Sequence, residues 1–326
     1  MKQHSLKLQD GKYQCTLCHH RCLLSFGEKG KCTVREATED GVSLIAYAQL
    51  TAVMVEPIEK KPIYHFKPNA KTLSLGGFGC SFNCSFCQNH EISQQNKEYK
   101  LMQFSPSAVI NTALEKKCSC VCMTFNEPTI YYEYLIDIAD KAHKNGLSFA
   151  IKTNAFLEPG PWEDICEVVD AMNIDYKGDD KRLQSITSVS PGSALHIASN
   201  ISYAISRKHM EISIPVFSDS EIDEFSFIRN LLSELDKDIP VHLVKIFPCN
   251  RYVEQATPDD LIMFVMRYMR EKMNFVYAEN IFTGEGRESR STVCPSCGQV
   301  VASRHALQVD ISLNPGCETC KQIFVL

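Results

Sequence analysis

Cys80, Cys84 and Cys87 stand at CxxxCxxC spacing within GGFGCSFNCSFCQNH, a pattern that lets three thiolates converge on one centre. Three cysteine ligands can hold three irons of a cubane cluster and leave the fourth iron open. An open iron is what a catalytic cluster needs, because a substrate or cofactor can then bind it directly. Gly76, Gly77 and Gly79 precede the triad and allow the backbone to come close to such a group. A buried structural cysteine cluster or a zinc site is the alternative that the triad alone leaves open.

The chain holds 16 cysteines, and two further sets have metal-ligand spacing. Cys15, Cys18, Cys22 and Cys32 form a complete four-thiolate set for either zinc or an auxiliary [4Fe-4S] cluster, with His19 and His20 as additional donors. Cys294 and Cys297, followed by Cys317 and Cys320, read as the paired CxxC knuckles of a zinc ribbon or rubredoxin-like segment. Tetrahedral sulfur suits both zinc and iron, so spacing does not choose between them. That segment has too few apolar residues to fold alone, and metal binding is expected to supply its folding energy. Cys118, Cys120 and Cys122 alternate into a strand and are expected on one buried face. Cys166 and Cys249 read as ordinary core or loop thiols.

These residues need a scaffold. From Thr72 to about Tyr277 short apolar runs alternate with amphipathic stretches, the mark of repeated βα units. Strands are expected at 73–79, 121–125, 148–153, 171–175, 210–216 and 241–247, with FVYAENI as a further strand. Helices are expected over 130–146, ending at an Asn-Gly cap, and over 258–273. Crossovers of one hand make this an α/β fold with a parallel sheet. Residues 1–70 read as an N-terminal cysteine-rich extension with short strands leading into the body. Residues 71–282 are the core, and 283–326 a polar linker followed by the metal-binding segment.

The 326 residues are 44% hydrophobic and 22% charged, as in a globular protein with a sizeable core. A net charge of -5 without basic blocks argues against a nucleic-acid partner. There is neither an 18-residue apolar run nor a secretory h-region, so a cytoplasmic protein with reduced thiols and no membrane contact is expected.

With Phe86 before the third cysteine, the motif resembles the CxxxCxφC signature of the radical S-adenosylmethionine (SAM) superfamily, where φ is aromatic. The resemblance extends to the pyruvate formate-lyase activase-like branch and, within it, to the AmmeMemoRadiSam-type proteins. It is carried by CTLCHHRC, EKKPIYHF, TFNEPTIYYEY, NIDYKG and VHLVKIFP, and runs from Cys15 to Cys320. It implies a partial (β/α)6 barrel, a [4Fe-4S] cluster on the triad, SAM as cofactor, and a low-potential electron donor such as ferredoxin or flavodoxin. It also implies SAM contacts at Phe86, at Asn126 and Glu127 of TFNEP, and at Lys152, Thr153 and Asn154 of KTNAF. Asp175 and Lys177 of NIDYKG follow at the barrel mouth.

Taken without the resemblance, Glu127 is also a helix-start glutamate beside Pro128, and Asp175 and Lys177 are ordinary turn residues. His242 reads as a satisfied core histidine, and Lys245 as part of the same strand's polar face. The chain departs from the AmmeMemoRadiSam pattern at His19, where proline is usual, and at Pro248, where histidine is usual. The reading is an oxidoreductase-type radical enzyme, working anaerobically, that takes hydrogen from an unassigned protein, peptide or small molecule. A glycyl-radical-enzyme activase is the alternative within enzymes; a non-catalytic metal scaffold or redox sensor is the alternative outside them.

Overall fold

In the computed structural model, residues 4–94, 100–281, 289–305, 308–311, 317 and 319–320 are described. The body is one eight-stranded sheet with helices packed on its outer face. In chain order its elements begin with β1 (Ala52–Pro57), β2 (Lys71–Gly76), α1 (Pro106–Glu115), β3 (Cys120–Met123), α2 (Tyr132–Lys144) and β4 (Ser148–Thr153). They continue with α3 (Pro159–Val168), β5 (Ala171–Asp175), α4 (Ser193–Ile205), β6 (His209–Val216), α5 (Ser226–Leu235), β7 (Val241–Lys245), α6 (Asp259–Arg270) and β8 (Val276–Glu279). The spatial order is β8-β7-β6-β5-β4-β3-β2-β1. Strands β2 to β8 are parallel, in the order of a partial α/β barrel.

All six expected strands are present, and FVYAENI adds the seventh parallel one. TAVMVEPI becomes β1, which pairs antiparallel with β2 from Ala52↔Gly76 to Pro57↔Lys71. Helix α2 shows why these crossovers form. Tyr132, Leu135, Ile138, Ala139 and Ala142 recur at helical spacing and are buried against the sheet. Asn145 then caps the helix, and Gly146 leaves it at φ +72°.

Two expectations need correction. Cys120 and Cys122 are fully buried and pack with Ile58, Ile63 and Ala150, but Cys118 lies before the strand and joins the separate main core. The alternation that would align all three begins only at Cys120. The polar stretch from Thr283 is not simply a linker: residues 283–288 lie outside the described residues, while Ser289 and Arg290 are buried.

The segment Lys61–His65 plugs the barrel. Glu211 Oε1 accepts from the backbone N–H groups of Tyr64 and His65 (both 2.7 Å), and Asn173 Nδ2 donates to Pro62 O (2.7 Å). His242 sits wholly buried between Glu211 (2.6 Å) and Glu279 (2.9 Å), a satisfied core histidine as expected. A three-stranded sheet of β9 (Thr292–Val293), β10 (Val300–His305) and β11 (Gln308–Ile311) covers this end. From it Arg304 donates to Tyr64 O (3.0 Å), and the preceding Arg290 donates to the Tyr64 hydroxyl (3.1 Å). Among the described residues no helix is long and apolar enough to cross a membrane.

Candidate active site

The cysteine triad occupies the loop that leaves β2 at its C-terminal end, where functional residues of parallel barrels gather. Two side chains hold this loop. Asn126 Oδ1 accepts from Gly77 N (3.0 Å), and its Nδ2 donates to the carbonyls of Phe78 (3.1 Å) and Gly79 (2.9 Å). The Tyr131 hydroxyl accepts from Phe78 N (2.8 Å). Glycine is obligatory at two points. A Cβ on Gly77 would lie 2.4 Å from the Tyr131 ring, and one on Gly79 would lie 2.1 Å from the Cys32 carbonyl.

The thiols fit an iron-sulfur cluster by their chemistry and surroundings. Three sulfur donors come from one loop, and Phe82 N donates to Cys80 Sγ (3.4 Å). Burial pushes the Cys80 thiol well above its ordinary range and Cys84 up to about 12, so without metal both are protonated. Metal loading would displace those protons. Cys87 Sγ lies 3.2 Å from Ser93 Oγ, and Cys249 Sγ donates to Cys87 O (3.5 Å).

The triad opens onto a cavity of about 720 Å³. Every residue expected to contact SAM lines it: Phe86, Asn126, Glu127, Lys152, Thr153, Asn154, Asp175 and Lys177. Their arrangement is more constrained than their spacing revealed. Glu127 is 3% exposed and caps the short 3-10 helix Pro128–Tyr131. Its Oε1 accepts from Thr129 N (3.0 Å), Thr129 Oγ1 (2.7 Å) and Thr153 Oγ1 (2.7 Å), and its Oε2 accepts from Asn154 N (2.8 Å). The helix-start geometry and the cavity wall thus coincide in one carboxylate. Burial raises its pKa, partly offset by those donors.

Across the mouth, Lys152 donates to Asp175 (2.6 Å) and Asn173 (2.6 Å), and Lys177 pairs with Asp175 (3.2 Å). Burial acts against the Asp175 carboxylate, but the two ammonium groups prevail and bring it down to about 2. Phe86 packs edge-on against Phe217 with ring centres 5.0 Å apart. Lys245, on its strand's polar face, pairs with Asp259 (2.5 Å).

The residues missed by sequence reasoning lie at the inner end of the cavity: Glu56, Glu59, Lys61, Ser213, Glu279 and Arg290. Glu59 and Lys61 belong to the EKKPIYHF segment, which pointed to them without a role; Arg290 arrives from the far end of the chain and left no signal. Glu59 is 3% exposed, with Oε1 accepting from Asn69 N (2.6 Å) and Oε2 carrying no hydrogen bond.

The flanking sets differ from each other. At the C-terminal site the sulfurs of Cys294, Cys297, Cys317 and Cys320 all lie within 4.8 Å of one another, close enough to share one tetrahedral ion. Backbone N–H groups of Cys320 and Thr319 hold the Cys317 thiol down to about 6. At the N-terminus Cys15, Cys18 and Cys32 are buried and Cys22 is half-buried. His19 and His20 have partners outside that set: His19 Nδ1 meets Glu158 (2.9 Å), and His20 Nε2 meets Ser81 O (2.6 Å).

Residues 75–227 match the Radical SAM superfamily. The stretch that carries the cysteine triad and most of the barrel is similar to a radical SAM domain. Over 97% of its length the chain is 29% identical to Uncharacterized protein MJ0808 of Methanocaldococcus jannaschii, of which it covers 95%. A radical SAM methyltransferase from Sphaerobacter thermophilus shares the fold, with a TM-score of 0.51 at 13% identity over 91% of this chain and 79% of that one. SuiB of Streptococcus suis bound to S-adenosylmethionine gives a TM-score of 0.48 at 15% identity, over 63% of this chain. The chain spans about half of SuiB, 49% of its length.

Proposed function

We propose that this chain is an oxidoreductase-type radical SAM enzyme that takes a hydrogen atom from a polar substrate held at the inner end of the cavity. The observation that carries the reading is the meeting of Cys80, Cys84 and Cys87 with Glu127, Thr153, Asn154 and the Lys152–Asp175–Lys177 group on one cavity. A [4Fe-4S] cluster and SAM, when bound, supply a 5′-deoxyadenosyl radical from one electron of a low-potential donor such as ferredoxin or flavodoxin.

The protein's own residues do the positioning. Cys80, Cys84 and Cys87 would hold the cluster, and Asn126 with Tyr131 fixes the loop that carries them. Glu127, Thr153 and Asn154 present a prearranged polar wall to SAM, with Phe86 on its apolar side. Lys152 and Lys177, locked to Asp175, place fixed charge at the mouth. The buried plug at Lys61–His65 closes the opposite end to water, which protects a reactive carbon radical. Glu59, with an unbonded carboxylate oxygen, is suited to receive a hydrogen-bond donor of the substrate. The C-terminal four-cysteine site is read as structural zinc that holds Arg290 and Arg304 against the plug.

Anaerobically reconstituted protein, incubated with dithionite and SAM, is expected to form 5′-deoxyadenosine measurable by mass spectrometry. Protein that binds iron and sulfide yet forms none would leave the metal-scaffold alternative in its place.

A further inference from the structure

The N-terminal cysteines form a site that the radical SAM reading does not use. The thiols of Cys15 and Cys18 lie within electrostatic reach of both Cys22 and Cys32, so the four sulfurs gather about one region. Backbone N–H groups are aimed at three of them: Leu17 at Cys15, His20 at Cys18, and Val34 with Arg35 at Cys32. The same two-residue offset brings Phe82 N to Cys80 and Thr319 N to Cys317. Such donors favour a ligating thiolate and tune the group it holds.

The backbone is also bent around these sulfurs. Arg21 and Thr33 adopt φ of +45° and +67°, the latter an uncommon conformation for a β-branched residue. Gly30 packs beside Cys22, where a Cβ would make an ordinary contact of 3.6 Å with its sulfur.

Size then discriminates among metals. A zinc ion with Zn–S bonds of about 2.3 Å draws its four sulfurs to separations of roughly 3.8 Å. The C-terminal set has that character, with sulfur pairs at 3.5 and 3.4 Å. In the N-terminal set no three sulfurs lie within 4.8 Å of one another, although all four cysteines are described. A cubane, whose thiolates bind separate corner irons, needs the wider frame.

We propose that Cys15, Cys18, Cys22 and Cys32 ligate a second [4Fe-4S] cluster. Four thiolates leave it no open iron, which suits electron storage and not substrate binding. Its wall is shared with the catalytic loop: Gly79 is pressed against the Cys32 carbonyl, and His20 is bonded to Ser81 O at 2.6 Å.

The test uses the full chain with Cys80, Cys84 and Cys87 all replaced by alanine, reconstituted anaerobically with iron and sulfide. It is expected to retain about four irons and four acid-labile sulfides, with the electron paramagnetic resonance signal of a reduced cubane. Adding Cys15→Ser and Cys22→Ser should remove both. Zinc without labile sulfide in the folded triple variant overturns the proposal. If the triple variant does not fold, Mössbauer spectroscopy of the parent decides, since a single cubane overturns the proposal and two support it. Failure of the catalytic assignment would look different, as iron content unchanged between the parent and the triple variant.

Discussion

Asn126 and Gly77 are joined by a 3.0 Å hydrogen bond that ties the end of β3 to the loop leaving β2. The same side chain donates to Phe78 O and Gly79 O, so one amide satisfies three backbone groups directly before the first cysteine of the triad. The relationship makes Asn126 a positioning residue whose loss would be felt at the thiols.

Asn126→Ala orphans the Gly77 N–H and the Gly79 carbonyl, while Phe78 O keeps the Tyr131 hydroxyl, at about 1–3 kcal/mol for each group left buried and unpaired. The expected outcome is a lower melting temperature and a cluster that loses iron faster in air. Asn126→Asp, which keeps the acceptor for Gly77 but not the donors, should fall between. Iron release, followed by the loss of the cluster's visible absorbance, checks the order.

Cys84→Ala removes one of three ligands from a buried loop. Formation of 5′-deoxyadenosine should drop to background, with a loss of about four irons per chain. Turnover at the parental rate would mean that the triad does not carry the chemistry.

Glu127→Ala leaves the donors of Thr129, Thr153 and Asn154 without their acceptor. SAM affinity is expected to fall by at least tenfold, about 1.4 kcal/mol, while iron content stays near the parental value. Unchanged SAM affinity in calorimetry, together with a lowered melting temperature, would assign Glu127 to the helix start alone.

His242 supplies the pH prediction. Burial acts to lower its pKa, but hydrogen bonds to Glu211 and Glu279 outweigh that and raise it, while both carboxylates are lowered. A raised histidine stabilises the fold fully below its unfolded pKa, near 6.5, and loses that contribution as pH rises through the folded value. Melting temperature should therefore decline on the alkaline side of neutrality. His242→Asn should flatten that slope and cost about 3–5 kcal/mol, because a buried charge pair is broken while Glu211 keeps only His209 and Glu279 only Arg290 as charged partners.

Chelation of the C-terminal metal should release more than its own segment. Arg304 and Arg290 bond to Tyr64 from either side of β9, so hydrogen exchange is expected to rise at Tyr64 and His65 as well as at β10. Protection unchanged at the plug after complete metal removal would show that the arginines are held without it.

Much of this molecule was legible before any coordinates. The spacing of Cys80, Cys84 and Cys87 and the alternation of apolar runs are local properties, and local geometry suffices to define a ligand loop and a βα repeat. TFNEP, KTNAF and NIDYKG also disclosed their positions, because successive parallel strands must end on the same side of a sheet.

What the tertiary structure alone decided are relations between distant residues. Glu211 gathers Tyr64, His65 and His242, and Arg290 reaches Tyr64 across 226 positions of sequence. The separate widths of the two four-cysteine sites were also hidden, since both sequences offer four thiols at short spacing. Spacing along a chain limits which side chains can meet; how far apart they stand, and what closes a cavity behind them, depends on packing contributed by every other element.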